Sequence, residues 1–198
     1  MPDSVPSTPG TPGAPAVAPT DRAPHPPGTA GGTLADAAGH EDPCALPVLA
    51  EFCACHERFE HVLQVLRGLP RHLQRQGPDE QARTDAAGVL NCLDTEGPAH
   101  RALEEREVLP LLRHLGGPAG AVLAGRLEAE HGLLARAWSQ CRPALAELAA
   151  SGRWSAESAV FEYERWRDFV ALATAHMLAE QGAAFPIVAA ALKGMPPP

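Results

Sequence analysis

The sequence lacks three features that would direct it to a membrane or a nucleic acid. It has no apolar run of about 18 or more residues, which a membrane-spanning helix requires. Its first twenty residues lack a basic start followed by an apolar stretch, so we predict no secretory signal. It also lacks a basic excess, because 24 Asp and Glu outnumber 16 Lys and Arg, for a formal net charge of -8. We therefore expect no nucleic-acid or membrane partner and predict a cytoplasmic protein.

Cysteine is scarce and does not follow the spacing of a disulfide framework or a zinc site. The five cysteines are odd in number, and Cys53 and Cys55 are the only close pair. No second pair accompanies them to complete a tetrahedral zinc site. We therefore expect reduced thiols. Cys53 lies one helical turn before His56, and we interpret it as a small apolar filler, with a role near a site as the alternative.

The distribution of apolar residues divides the chain into three parts. Residues 1–42 are mostly Pro, Gly, Ala, Ser and Thr, and they predict a disordered tail. Residues 194–198 are predicted to be disordered as well. Residues 43–193 show helical periodicity and no alternating strand pattern. This central part is predicted to form the folded domain.

Four long helical segments are predicted in the central part, ending near Gln76, Leu115, Ala150 and Leu192. A bend is expected near Pro70 in the first segment, and a break or kink near Pro98 in the second. Short turns join the segments. The predicted fold class is therefore all-α, an up-down-up-down four-helix bundle.

One pattern occurs twice, as "HRALEEREVLP" from His100 and as "HMLAEQGAAFP" from His176. Both copies read His-x3-Glu-x5-Pro, which places each histidine and glutamate on one face of a helix, about 5–6 Å apart at their Cβ atoms. Spacings of three and four residues give every segment a buried face, and each buried face contains a histidine. The polar residues of these faces are His56, His100, Glu104, His131, His176 and Glu180.

Buried ionisable side chains are costly unless a partner satisfies them. A buried carboxylate without a partner costs several kcal/mol, and a buried histidine loses hydrogen bonds to water. One such histidine is usually a structural residue, but four with two carboxylates favour a cation held between the helices. Six ligands exceed the need of one zinc ion and fit two ions bridged by Glu104 and Glu180. A metal-free bundle with hydrogen-bonded polar residues is the alternative.

The sequence resembles the hemerythrin-like HHE cation-binding domains, four-helix bundles that hold a non-heme di-iron centre. The resemblance rests on the doubled motif together with "CHERFEHVLQVLRGL" and "EAEHGLLARAW", and it covers all four segments. It implies that His56, His131 and the two His/Glu pairs bind two iron ions. The spacing itself does not choose among iron, manganese and zinc. His61 lies off the buried face and is interpreted as a surface residue, with the role of first-helix ligand in place of His56 as the alternative.

Two positions depart from oxygen-carrying hemerythrins. Those proteins have His-x3-His in the third helix, whereas Leu127 occupies the earlier position here. Water, an anion or the carboxylate of Glu128 or Glu130 is expected to replace that ligand. Many family members also have a second glutamate after each ligand glutamate, which Glu105 retains and Gln181 does not.

The resemblance implies binding of dioxygen or a related small ligand, such as NO or peroxide, at the reduced metal pair. Neutral histidine ligands outnumber carboxylates, a balance that favours binding and sensing over substrate oxidation. We therefore predict a binding or sensing protein in oxygen or NO sensing, storage or an iron-linked stress response. The alternatives are a di-iron NO or peroxide reductase, for which the sequence has no redox partner domain, and a protein of iron homeostasis or metal buffering.

Overall fold

The computed structural model describes residues 42–194, except 156 and 158. The disordered segments predicted for residues 1–42 and 194–198 lie, apart from Asp42 and Gly194, outside the described residues. Among the described residues, no helix is long and apolar enough to cross a membrane.

The described part of the chain is an all-α bundle of four long helices, as predicted. A 3-10 turn, Pro43–Ala45, precedes α1, Pro47–Gln76. The next two helices are α2, Glu80–Leu115, and α3, Gly117–Ser151. The fourth long helix consists of α4, Ala159–Ala179, a π-helical turn, Glu180–Ala184, and α5, Phe185–Lys193. Because α1 packs on α2 and α4, and α3 packs on the same two, neighbours in sequence are neighbours in space.

Short connections with capping residues set where the helices end. Gly77, with φ 73°, ends α1, and Gly152, with φ 67°, ends α3 in a left-handed conformation that favours glycine. Asp79 caps the start of α2 by accepting a hydrogen bond from the backbone N–H of Ala82 at 2.9 Å. At the α2–α3 turn a Cβ on Gly120 would lie 2.6 Å from the carbonyl oxygen of Leu112. These short connections keep consecutive helices antiparallel.

A polar layer divides the apolar core into two clusters. One cluster contains Phe59, Cys92, Cys141 and Trp166, and the other contains Phe52, Val108, Leu127 and Ala184. Along each of the four long helices, one or two ionisable residues lie between the two clusters. The bundle therefore surrounds these ionisable residues with apolar side chains above and below.

Pro70 and Pro98, where a bend and a break or kink were expected, both lie within continuous helices. No break occurs at Pro98, since α2 is helical from Glu80 to Leu115, and α1 is helical through Pro70. Leu115 is 41% exposed because it is the last residue of α2, while Leu112 is fully buried. The π turn, Glu180–Ala184, ends two residues before Pro186, which has no backbone N–H to donate.

The expectation of reduced thiols is wrong for two cysteines. Cys44 and Cys53 form a disulfide with Cα atoms 5.9 Å apart, because the 3-10 turn brings Cys44 back along the first turns of α1. Cys53 is therefore neither a free apolar filler nor a thiol near the site. Cys55, Cys92 and Cys141 are free and buried, as expected of small apolar fillers.

Candidate metal centre

Six ionisable side chains meet in the polar layer, and they are the six that the sequence singled out. α1 contributes His56, α2 contributes His100 and Glu104, and α3 contributes His131. The fourth long helix contributes His176 at the end of α4 and Glu180 as the first residue of the π turn. All are buried except His100, which is half-buried. Every long helix therefore contributes at least one nitrogen or oxygen donor to one buried cluster.

The donors fall into two groups that share one residue. His56, His100 and Glu180 form the first group, and Glu104, His131, His176 and Glu180 form the second. Within each group the ligand atoms lie within 4.8 Å of one another. Of the two carboxylates expected to bridge, only Glu180 belongs to both groups.

The two oxygens of Glu180 face opposite groups. Oε2 lies 2.9 Å from Nε2 of His56, and Oε1 lies 2.9 Å from Nε2 of His176. Despite these short distances, neither oxygen has the geometry of a hydrogen bond. The atoms converge as ligands of a common centre do, so Glu180 is placed to bridge two ions.

Glu104 and the remaining histidines complete the two groups. Oε2 of Glu104 lies 2.9 Å from Nε2 of His131 and 4.0 Å from Nε2 of His176, while its Oε1 is buried without a hydrogen-bond partner. In the first group, Nε2 of His56 and Nε2 of His100 are 3.2 Å apart. Two such nitrogens attract each other only when one carries a proton, whereas both can bind one cation.

The buried carboxylate oxygens that lack a hydrogen-bond donor indicate whether a cation would fit this cluster. Three carboxylate oxygens of Glu104 and Glu180 have no hydrogen-bond partner, although both side chains are fully buried. Buried acceptors of this kind cost about 1–3 kcal/mol each, and more when charged. Imidazole nitrogens with carboxylate oxygens suit iron, zinc and other transition metals. The donor set therefore fits a cation site better than a closed hydrogen-bond network.

Comparison with known families agrees with this geometry. The family model described as the hemerythrin HHE cation binding domain matches residues 48–192. The chain belongs to this family. No curated protein and no solved structure matched the chain. It is a metal-binding, hemerythrin-like protein with a buried cluster of histidines and glutamates.

Two further carboxylates orient the histidines of the HHE domain. Nδ1 of His131 lies 2.9 Å from Oε1 of Glu105, and Nδ1 of His176 lies 2.9 Å from Oε2 of Glu130. When Nδ1–H donates to a carboxylate, Nε2 keeps its lone pair for a metal and becomes a stronger ligand. Arg101 and Arg126 in turn pair with these carboxylates at 2.8 and 2.7 Å.

These outer contacts correct one expectation about the position of Leu127. Leu127 is fully buried in the apolar core, and neither carboxylate expected to replace the missing histidine belongs to the two donor groups. Glu128 is exposed and pairs with Arg113 at 2.6 Å. Glu130 contacts His176 instead. The sequence has no local signal for this contact, because the two residues are 46 positions apart on different helices.

The charges of the cluster shift the pKa values of its members. Burial lowers the pKa of His100 to about 4 and raises the pKa of Glu104 to about 7. Burial would lower the pKa of His176, but the carboxylates of Glu180 and Glu130 outweigh it and raise the pKa to about 9. For Glu180, burial would raise the pKa, but the imidazoles of His176 and His56 outweigh it and lower the pKa. A metal ion that binds His176 must therefore displace a proton.

Proposed function

We propose that this HHE domain holds a non-heme di-iron centre and binds dioxygen or a related small ligand, such as NO or peroxide. The observation that supports it most strongly is the pair of donor groups sharing Glu180, whose two oxygens face opposite groups without hydrogen bonds. The proposed role is sensing, storage or an iron-linked stress response in the cytoplasm. When bound, an iron pair supplies electrons and an open coordination position.

The side chains of this domain would hold, orient and insulate the irons. His56 and His100 would bind one ion, His131, His176 and Glu104 the other, and Glu180 both. Glu105 and Glu130 hold the Nδ1 protons of His131 and His176, so that each Nε2 faces the centre. The apolar clusters pack above and below the donors, and the stacked ring of Phe185, 5.5 Å from the ring of His56, covers the first group.

Balance of charge favours a binding role over an oxidase. Four neutral imidazoles and two carboxylates leave the site with less negative charge than a carboxylate-rich di-iron site has. Less negative charge stabilises highly oxidised iron less well. The same balance suits reversible binding of a neutral diatomic ligand, which is the basis of the proposed sensing or storage role.

Metal content of untagged protein, purified without oxygen from iron-replete cells, tests the proposal. Elemental analysis for iron, manganese and zinc should give about two irons per chain, as in other di-iron bundles. His56→Ala should lose metal, whereas His61→Ala should not, because His61 is exposed on the same helix. The loaded protein should show an oxygen- or azide-dependent absorption band. Folded protein that neither contains nor takes up metal would disprove the proposal.

A further inference from the structure

A cavity of about 500 Å³ leads from the surface to the donor cluster. Four of its lining residues are exposed and mark its mouth between α2 and α3: Pro98, Arg101, Ala102 and Ala135. Its inner end is formed by donor residues of both groups: His100, His131, His176 and Glu180. His56 and Glu104 do not line it. The cavity therefore reaches the donor cluster from one side.

The walls between mouth and inner end are apolar. Phe59, Leu63, Phe169 and Met177 are buried wall residues, and Leu134 is half-buried. Arg101, the one arginine or lysine of the lining, pairs with Glu105 at 2.8 Å and offers no free guanidinium to an acidic ligand. An uncharged, mainly apolar molecule fits these walls, because charged groups would lose hydration without gaining a partner.

Trp138 is fixed as one wall of the cavity. Its Nε1–H donates to Asp94 at 2.9 Å, and its ring lies 5.4 Å from the ring of Phe169. Arg142 contacts both oxygens of the same Asp94 at 3.1 and 2.9 Å. A ring held by a hydrogen bond and a ring contact does not have to be ordered by the ligand. The cavity is therefore largely preformed, as ligand pockets usually are.

The volume exceeds the need of a diatomic ligand. A water-sized molecule takes up about 30 Å³, and dioxygen is similar in size. Pockets for organic ligands commonly measure about 300–1,000 Å³ and combine apolar walls with a few polar groups. This cavity has that size and mainly apolar walls, with the donor residues at its inner end and the Arg101–Glu105 ion pair near its mouth.

We propose that the cavity binds an uncharged, mainly apolar organic molecule, of the size of a medium-chain alcohol or a small fused aromatic, with one end against the donor cluster. Identification of the inner end as a metal centre rests on the proposed function, whereas the cavity and its lining do not. A hydroxyl group at the inner end of the ligand would meet Glu180 and the histidines. The hydrocarbon part would displace water from Phe59, Leu63 and Trp138.

Competition between a fluorescent apolar probe and a series of alcohols tests the inference. The probe is 1-aminoanthracene, and primary alcohols from butanol to dodecanol displace it from purified full-length protein. Affinity should rise about three- to fourfold per added methylene until the chain fills the cavity. Metal content is measured on the same samples. Protein with metal but without probe binding overturns this inference alone, whereas probe binding by protein without metal supports it and contradicts the proposed function.

Two variants that fill the cavity locate the binding site. Ala173→Leu adds volume beside the inner wall, and Ala135→Trp narrows the mouth at an exposed position outside both apolar clusters. Each should weaken binding of the longest alcohols at least tenfold, and Ala173→Leu should also shorten the chain length at which affinity stops rising. Ala175→Leu is the matched control, since Ala175 is exposed on α4 and does not line the cavity. Equal binding by wild type and both filling variants would place the ligand elsewhere and overturn the inference.

Discussion

His100 and Glu104 lie on a helix that stays α-helical through Pro110, whereas Glu180 begins a π turn that ends two residues before Pro186. Both copies of the His-x3-Glu-x5-Pro motif have the same spacing, yet their glutamates differ in contacts. Glu104 belongs to one donor group, and Glu180 belongs to both. In the π turn the N–H of Phe185 donates to the carbonyl oxygen of Glu180, five residues back. The comparison teaches that two residues with the same motif spacing can differ in the number of donor groups they join, and that the backbone differs between the copies at the same place.

Substituting alanine for the glutamate of each copy in turn should give the largest difference in iron content between the two copies of the motif. Glu180→Ala deletes the donor shared by both groups, so we expect iron to fall from about two per chain to well below one. Glu104→Ala removes a donor from one group, so about one iron should remain. Elemental analysis of both variants, prepared in parallel, measures the difference.

Glu164→Ala is the control, because Glu164 is exposed on α4, the helix that leads into the π turn. It should leave the iron content unchanged. Equal iron loss in Glu180→Ala and Glu104→Ala would show that both carboxylates bridge, as the sequence alone suggested. The difference between the copies would then be only one of backbone geometry.

Substitution of the two carboxylates that contact the Nδ1 atoms of His176 and His131 should have the next largest effect on metal binding. Glu130→Gln and Glu105→Gln keep the size of each side chain but weaken the acceptor for Nδ1–H of His176 and His131. Each should lower metal affinity about 10–100-fold. Glu130→Gln should have the larger effect, because its side chain is 18% exposed, against 34% for Glu105. Competition with a chelator of known affinity measures both.

Glu128→Gln is the matched control for this pair. Glu128 lies on α3 two residues from Glu130, but it is 55% exposed and pairs with Arg113. Unchanged affinity in Glu130→Gln would mean that its contact with His176 does not orient a ligand. A loss in Glu128→Gln of the same size would point to a general effect of removing negative charge.

The sequence predicts the helices and the inward-facing histidines and glutamates well, because both depend on local spacing. His56 and His131 share buried faces with apolar residues three and four positions away, so their burial could be predicted without a structure. Contacts between helices could not be predicted in this way. Glu130 reaches His176 only because α3 packs on α4, and Cys44 reaches Cys53 only because the 3-10 turn folds back. The π turn could not be predicted from Pro186 alone, because the first copy has a proline at the same offset and stays α-helical.

Substitutions of Pro186 and Pro110 test whether the π turn is what allows Glu180 to belong to both donor groups. An alanine at 186 could donate to the carbonyl of Gly182 and favour regular α-helix, which would rotate Glu180 away from one group. Pro186→Ala should therefore lower iron by a fraction of one ion per chain and weaken the remaining site. Pro110→Ala should leave iron unchanged, because α2 is already α-helical there. Iron content and the hydrogen-exchange rate of the Phe185 amide are measured on the same variants. Loss of iron without a change in that exchange rate would contradict the explanation.

The smallest expected effect is that of removing the N-cap residue of α2, the helix that carries the first copy of the motif. Asp79 accepts from the N–H of Ala82 and lies 2.7 Å from Nε2 of His72, and these contacts lower the pKa of Asp79 from its usual 3.8. A carboxyl group with a lowered pKa stabilises the fold above its unfolded pKa, and this contribution disappears as the pH falls through the folded value.

Asp79→Ala should therefore lower the Tm by a few degrees at pH 7 and by less near pH 3. Asp85→Ala is a control on the same helix, because the Asp85 carboxylate accepts from the side chain of Gln81 and not from a backbone N–H, and it should not change the Tm in this pH-dependent way. Iron content should stay the same in Asp79→Ala, because the cap lies outside both donor groups. Iron loss in this variant would mean that the stability of α2 as a whole, and not only the local geometry around Glu104, limits metal binding.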